Sequence, residues 1–282
     1  MERPIVLITG ASSGFGLLTS IALAKKGYYV LAGIRDLSKK DELQKRAAAE
    51  NAENDIHFIT LDVTKEMDIV RAVKKVNEQF GRIDVLINNA GIAVPDFAEC
   101  LSLDKYRKQF ETNVFGVIRM TQACLPLIRC SRNGRIINIS SISGLIGFPG
   151  LSAYTASKHA IEGFSESLRF EVKPFGIDVI LIEPGSFATG IWGKSLSFLK
   201  EDNNSSAAPF YQLMKERLLY RFKKTAPKMA DPEGVINILT DAVTARKPKF
   251  RYKVGKGIHT ILFLKRILPW RVWEALVLKE IK

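Results

Sequence analysis

The chain has 282 residues, 46% hydrophobic and 25% charged, a balance that supports a packed core and excludes wholesale disorder. Its three cysteines, Cys100, Cys124 and Cys130, lack CxxC or Cys/His spacing, which excludes a disulfide scaffold and a zinc site and fits reduced thiols in the cytoplasm. The net charge of +13 comes with no recognised nucleic-acid-binding motif, so no nucleic-acid partner is expected.

In chain order, Ile5–Ile8 reads as a strand and Leu17–Lys26 as a helix. Pro4–Thr9 is apolar, but Gly10, Ser12, Ser13, Gly14 and Gly16 interrupt it where a signal-peptide core would continue. Tyr29–Ala32 is a strand, Lys39–Asn51 a helix, His57–Leu61 a strand, Glu66–Phe80 a helix and Ile83–Ile87 a strand. Leu103–Ile128 reads as one long helix, Arg135–Ile139 as a strand and Ala153–Phe175 as a helix. Asp178–Ile182 is a strand that stops at Glu183-Pro184-Gly185, and Phe250–Val254 supplies a seventh. Short continuous apolar strands alternating with amphipathic helices predict an α/β, doubly wound, Rossmann-type domain over 1–282, its seven-stranded sheet mostly parallel and covered on both faces. No run reaches the roughly 18 unbroken apolar residues that a membrane span needs.

Between the first strand and helix lies Thr9-Gly-Ala-Ser-Ser-Gly-Phe-Gly16. Glycines there permit a tight turn and close backbone approach, and the helix N-terminus offers N–H groups to a phosphate. At the second strand's tip, the position that accepts a ribose 2′-OH in NAD-binding folds falls on Ile34, which cannot accept. Arg35 follows and can pair with a 2′-phosphate, with Ser12 as a further donor. NADP(H) is therefore preferred and NAD(H) is the alternative. Asp36 is expected to face solvent or cap the next helix.

Tyr154 and Lys158 stand at i and i+4, on one helix face. An ammonium beside a phenol is expected to lower the tyrosine pKa and suit it to proton transfer. Ser140 or Ser141, at the carboxyl edge of the sheet, can donate to a substrate carbonyl.

With these residues the chain resembles the short-chain dehydrogenase/reductase family, over at least Pro4 to Thr189. The resemblance rests on the glycine segment, Leu61-Asp-Val63, Asn88-Asn-Ala-Gly91, Asn113-Val, the Ser141/Tyr154/Lys158 set and Pro184-Gly185, all in order. It implies that the serine thirteen positions before the tyrosine, Ser141, is the catalytic one. It also implies that Asn113 holds a water in a proton relay and that Lys158 binds the nicotinamide ribose. Gly10, Ser12, Ser13, Gly14, Phe15 and Gly16 would face the phosphates, and Asp62 and Val63 the adenine. Asn89 and Gly91 would line the cofactor cleft, with Asn88 holding neighbouring strands. Pro184, Gly185, Phe187 and Thr189 would meet the nicotinamide. Phe15, the Ile34-Arg35 tip and the extended C-terminus look most like the steroid- and retinol-type members. An intact Ser/Tyr/Lys set argues against a non-catalytic nucleotide-binding regulator. An NAD-dependent alcohol or steroid dehydrogenase is the nearer alternative.

In this family the segment after Pro-Gly covers the substrate. Here, over 190–228, it is rich in Ile191, Trp192, Leu196, Phe198, Leu199, Phe210, Tyr211, Leu213, Met214, Leu218, Leu219, Tyr220 and Phe222, which suits an apolar small molecule. The resemblance also places a two-fold helical interface on the two long helices, so a homodimer or homotetramer is expected. Residues 246–282 carry eleven Lys and Arg against two Glu. The 255–282 extension mixes these with apolar residues and is broken at Pro269, so two short helices are expected. They either pack over the cleft or touch an anionic membrane. No metal site is expected, and the compartment is expected to be the cytoplasm.

Overall fold

The computed structural model describes residues 3–187, 208–225 and 229–279. Its strands are β1 (Ile5–Thr9), β2 (Tyr29–Ile34), β3 (Ile56–Thr60), β4 (Val85–Asn88), β5 (Arg135–Ile139), β6 (Asp178–Pro184) and β7 (Arg251–Val254). They form one sheet in the order β3-β2-β1-β4-β5-β6-β7, with every neighbouring pair parallel. The order reverses between β1 and β4, where Val6 pairs with Val85 and Ile8 with Ile87. In open α/β sheets such a reversal opens a crevice at the carboxyl ends of the strands.

The helices are α1 (Gly14–Lys25), α2 (Asp41–Ala49), α3 (Glu66–Phe80), α4 (Leu103–Phe110), α5 (Gly116–Arg129), α6 (Ser152–Val172), α7 (Ala208–Thr225), α8 (Glu233–Thr244), α9 (Ile258–Ile267) and α10 (Trp270–Leu278). Successive side chains of a strand point to opposite faces, and β1 shows the consequence. Val6 and Ile8 join Leu17 and Ile21 of α1 and Val235 and Leu239 of α8 in one buried layer. Ile5 and Leu7 join Val76 of α3, Met120 of α5 and Leu168 of α6 in the other. Each such side chain contributes roughly 1.5–3 kcal/mol by leaving water. Arg135 closes the first layer by donating to the carbonyls of Ala242, Val243 and Ala245 at the end of α8, where a cation suits the exposed carbonyls.

The sequence reading needs correction in three places. The single helix expected over Leu103–Ile128 is α4 and α5 joined by a π-helical turn, Glu111–Phe115. The first helix begins at Gly14, within the glycine segment, rather than at Leu17. Helices α7 and α8 follow where no element was assigned. The tail divides into two short helices flanking Pro269, as expected.

Candidate active site

Two glycines make the phosphate turn possible. Gly10 has φ +68, and a Cβ there would sit 2.8 Å from Ala90 Cα. At Gly16 a Cβ would lie 2.4 Å from Asn89 Nδ2 and 2.5 Å from the Gly10 carbonyl. The backbone therefore closes on itself and turns straight into α1, whose N-cap, Ser13, spends no side-chain bond on the helix end. The first-turn N–H groups keep their anion-binding capacity. Asn89 braces this turn, its Nδ2 donating to the carbonyls of Thr9 (2.9 Å) and Gly10 (3.1 Å).

From the turn runs a cleft of about 460 Å³ that brings the expected residues together. Gly10, Ser12, Ser13, Gly14 and Phe15 line one end, with Arg35 beside them. Asp62 and Val63 follow, then Asn89 and Gly91, then Ser141, Tyr154 and Lys158, with Pro184, Gly185 and Phe187 on the β6 side. Gly16 stands behind the turn, and Thr189 lies outside the described residues. Asp36 Oδ1 accepts from Ser38 N (3.1 Å) and caps a short 3₁₀ turn. Arg35 is left exposed at the cleft rim, with no ion pair among the described residues. A turn closed on glycines too crowded for a Cβ, a helix N-terminus and a basic rim fit a dinucleotide phosphate.

At the far end, Ser141 and the Tyr154 hydroxyl are hydrogen-bonded, and Ser141 Oγ also accepts from Ser143 N at 3.1 Å. Lys158 Nζ donates to the Ile139 carbonyl (2.7 Å) and stands 5.6 Å from the centre of the Tyr154 ring. Burial pushes the Tyr154 phenol up to about 12, partly offset by the Ser141 hydrogen bond. Burial pulls the Lys158 ammonium down to about 8, partly offset by the charge of Glu162. Burial therefore outweighs the lowering expected from Lys158. In the protein by itself the ammonium faces the ring and a carbonyl, and desolvation dominates.

Asn113 lies in the π turn, a rare geometry often found at functional sites. Its Oδ1 accepts from Ile92 N (2.9 Å), and its Nδ2 donates to the Ile92 carbonyl (2.9 Å) and Ser157 Oγ (3.2 Å). These bonds brace the cleft wall. Asn88 ties the strands, donating to Asn138 Oδ1 (2.9 Å). Lys108 and Thr112 also line the cleft. The sequence reading missed them because only the π turn and the packing of α4 bring them there. Ser140, left open beside Ser141, has a buried hydroxyl without a partner.

Within the expected covering segment, 188–207 and 226–228 lie outside the described residues, with Ile191, Trp192, Leu196, Phe198 and Leu199 among them; nor is the side chain of Phe222 described. On α7, Tyr211, Met214 and Leu218 pack against Phe97 and Cys100. A buried Lys215–Asp96 ion pair at 3.0 Å fixes the helix there. Phe210, Leu213 and Tyr220 are exposed. Among the described residues no cluster of metal-ligating side chains occurs, and no helix is long and apolar enough to cross a membrane.

The short chain dehydrogenase family model matches residues 4–199, and the chain belongs to this family. It is 46% identical to an uncharacterised oxidoreductase of Bacillus subtilis (strain 168) over 100% of this chain and 99% of that one. It is 37% identical to the 3-ketodihydrosphingosine reductase of Bacteroides thetaiotaomicron over 94% of this chain and 92% of that protein. A short-chain dehydrogenase structure from Streptomyces avermitilis superposes with a TM-score of 0.78 at 30% identity, covering 99% of this chain and 96% of that one. Structures of the same fold hold NADP in one case and NAD in another. The chain is thus an oxidoreductase of alcohol or carbonyl groups that uses a nicotinamide cofactor.

Proposed function

We propose that this protein reduces the ketone of an apolar, chain-bearing substrate with NADPH, reversibly, in a single dinucleotide-binding domain. The observation that carries this reading is the Ser141–Tyr154 hydroxyl pair, set beside Lys158 in the cleft that the glycine turn opens. When bound, the nicotinamide supplies the hydride. Ser141 donates to the carbonyl oxygen and orients it. Tyr154, kept protonated by burial, gives its proton to that oxygen as the alkoxide forms. Lys158 brings positive charge to the phenolate left behind, and Asn113 carries the relay to water. The glycine segment, with Gly10, Ser12, Ser13, Gly14, Phe15 and Gly16, holds the phosphates, and Arg35 reads the 2′-phosphate. Asp62 and Val63 take the adenine, Asn89 and Gly91 the ribose side, and Pro184, Gly185, Phe187 and Thr189 the nicotinamide.

The apolar substrate is supported by the side chains gathered on α7 and by the likeness to a 3-ketodihydrosphingosine reductase. We place the enzyme in the cytoplasm as a homodimer or homotetramer. Exposed Leu103, Phe115 and Phe170 on α4, the π turn and α6 support an interface there. The tail supports a membrane-surface role. Ile258 and Trp273 are buried, whereas Phe263, Ile267, Trp270, Val272 and Leu276 are exposed among Lys256, Arg266, Arg271 and Lys279. The test of the activity is a panel of long-chain and short-chain ketones and alcohols with each cofactor, followed by absorbance. Reduction of long-chain ketones with NADPH is expected. Turnover confined to short polar substrates would contradict the reading.

A further inference from the structure

Behind Tyr154 and Lys158 lies a charged cluster that the reaction as described does not use. Glu162 stands one helical turn beyond Lys158 on α6, with a side chain only 8% exposed. Arg251 of β7 donates to Glu162 Oε2, to Glu183 Oε1 (3.1 Å) and to Glu166 Oε2 (2.9 Å). Glu183 is completely buried near the end of β6. The other oxygens, Glu162 Oε1 and Glu183 Oε2, are buried without a partner, as is Ser140 Oγ. Gly144 leaves room for them: a Cβ there would lie 2.8 Å from Ser140 Oγ and 3.1 Å from Glu162 Oε1.

The charges facing Glu162 come from three elements. Lys158 lies on α6, Glu183 on β6 and Arg251 on β7, with Glu166 of α6 on the far side of Arg251 and Lys253 of β7 acting on Glu183. The turn after β5 presents the neutral Ser140 and Gly144. One guanidinium cannot hold two buried carboxylates ionised with equal ease. Burial, and next the charge of Glu162, push the Glu183 carboxyl up from the ordinary carboxylate range. The carboxylate of Glu162, one turn along α6 and held by Arg251, opposes the desolvation of Lys158.

We propose that Glu162, clamped by Arg251, is a positioning residue that holds a negative charge one turn from Lys158 and keeps this lysine an ammonium at neutral pH. The inference rests on the reading that Lys158 serves the reacting tyrosine, but its test does not depend on turnover. Lys158 in the free protein, ¹³C-labelled at lysine and assigned by loss of its signal in Lys158→Met, is titrated by NMR. The wild-type midpoint is expected at about 8. Glu162→Gln should lower it by about one unit, roughly a tenfold loss of proton affinity. Glu162→Asp keeps the charge and should hold the midpoint. Glu183→Gln, which loosens the same arginine, should leave it in place although stability falls. If Glu162→Gln does not fold, Glu162→Met, which keeps the side chain's length and removes only its charge, carries the same downward shift. An unmoved midpoint in either folded variant, or an equal shift in Glu183→Gln, would overturn the proposal. Full turnover by Tyr154→Phe would instead overturn the reading of the site and leave the titration standing.

Discussion

Lys158 sits where burial and charge oppose one another, and the conflict has a sign that can be measured. Its pKa in the folded protein, about 8, is depressed from 10.5. Between those values the unfolded chain binds the proton more tightly, so folding stability from this group rises as pH climbs from 8 to 10.5. The full difference is roughly 3 kcal/mol. Lys158→Met removes this dependence. Urea unfolding at pH 7 and pH 10 should show wild type gaining on the variant by most of that amount; a constant gap would place the lysine in a wetter setting. Arg35 carries a different consequence. Arg35→Ala should raise the KM for NADPH roughly ten- to a hundredfold, as loss of a charged hydrogen bond of about 1.5–3 kcal/mol implies, and leave NADH little changed. Equal losses with both cofactors would mark the arginine as structural. Both residues were legible in the sequence because each sits at a fixed offset from a local landmark, a strand tip or a tyrosine. The direction of the Tyr154 shift was not, because it depends on burial by residues distant in the chain.

At the scale of elements, strands β1 to β6 were legible because four- to seven-residue apolar runs bounded by turn residues have few other readings. The π turn was not, since one added residue in the hydrogen-bond register leaves hydrophobic periodicity nearly intact. Nor was the Glu162–Glu183–Arg251 cluster, whose members are brought together only by the pairing of β6 with β7 and the packing of α6 on β6. In the tail one face packs on the protein and the other stays open. Ile258 packs on Gly185, near the cofactor cleft, and Lys265 Nζ bonds the Leu145 carbonyl, while the outer faces of α9 and α10 stay apolar and basic. Such a surface should bring the protein down with anionic vesicles at low salt and release it as ions screen the attraction, with a Debye length of about 10 Å at 0.1 M. Protein that stays in the supernatant with anionic vesicles at low salt would show that the exposed face has another use.

The whole molecule is organised by the reversal of strand order between β1 and β4. This one topological feature sets the glycine turn, the Asn89 brace and the Ser141–Tyr154 pair along a single cleft. The cofactor end and the proton-transfer end are therefore separable by mutation, and Tyr154 is the proposed proton donor at the second. Tyr154→Phe keeps the ring in its buried place and removes only the hydroxyl. The decisive measurement is turnover of a reducible ketone by this variant, with NADPH binding followed in parallel by fluorescence. Turnover should fall by at least the roughly 10²- to 10⁴-fold ascribed to general acid–base groups, with NADPH affinity unchanged within about twofold of wild type, a margin below 0.5 kcal/mol. Turnover close to wild type, with NADPH bound as before, would contradict the account.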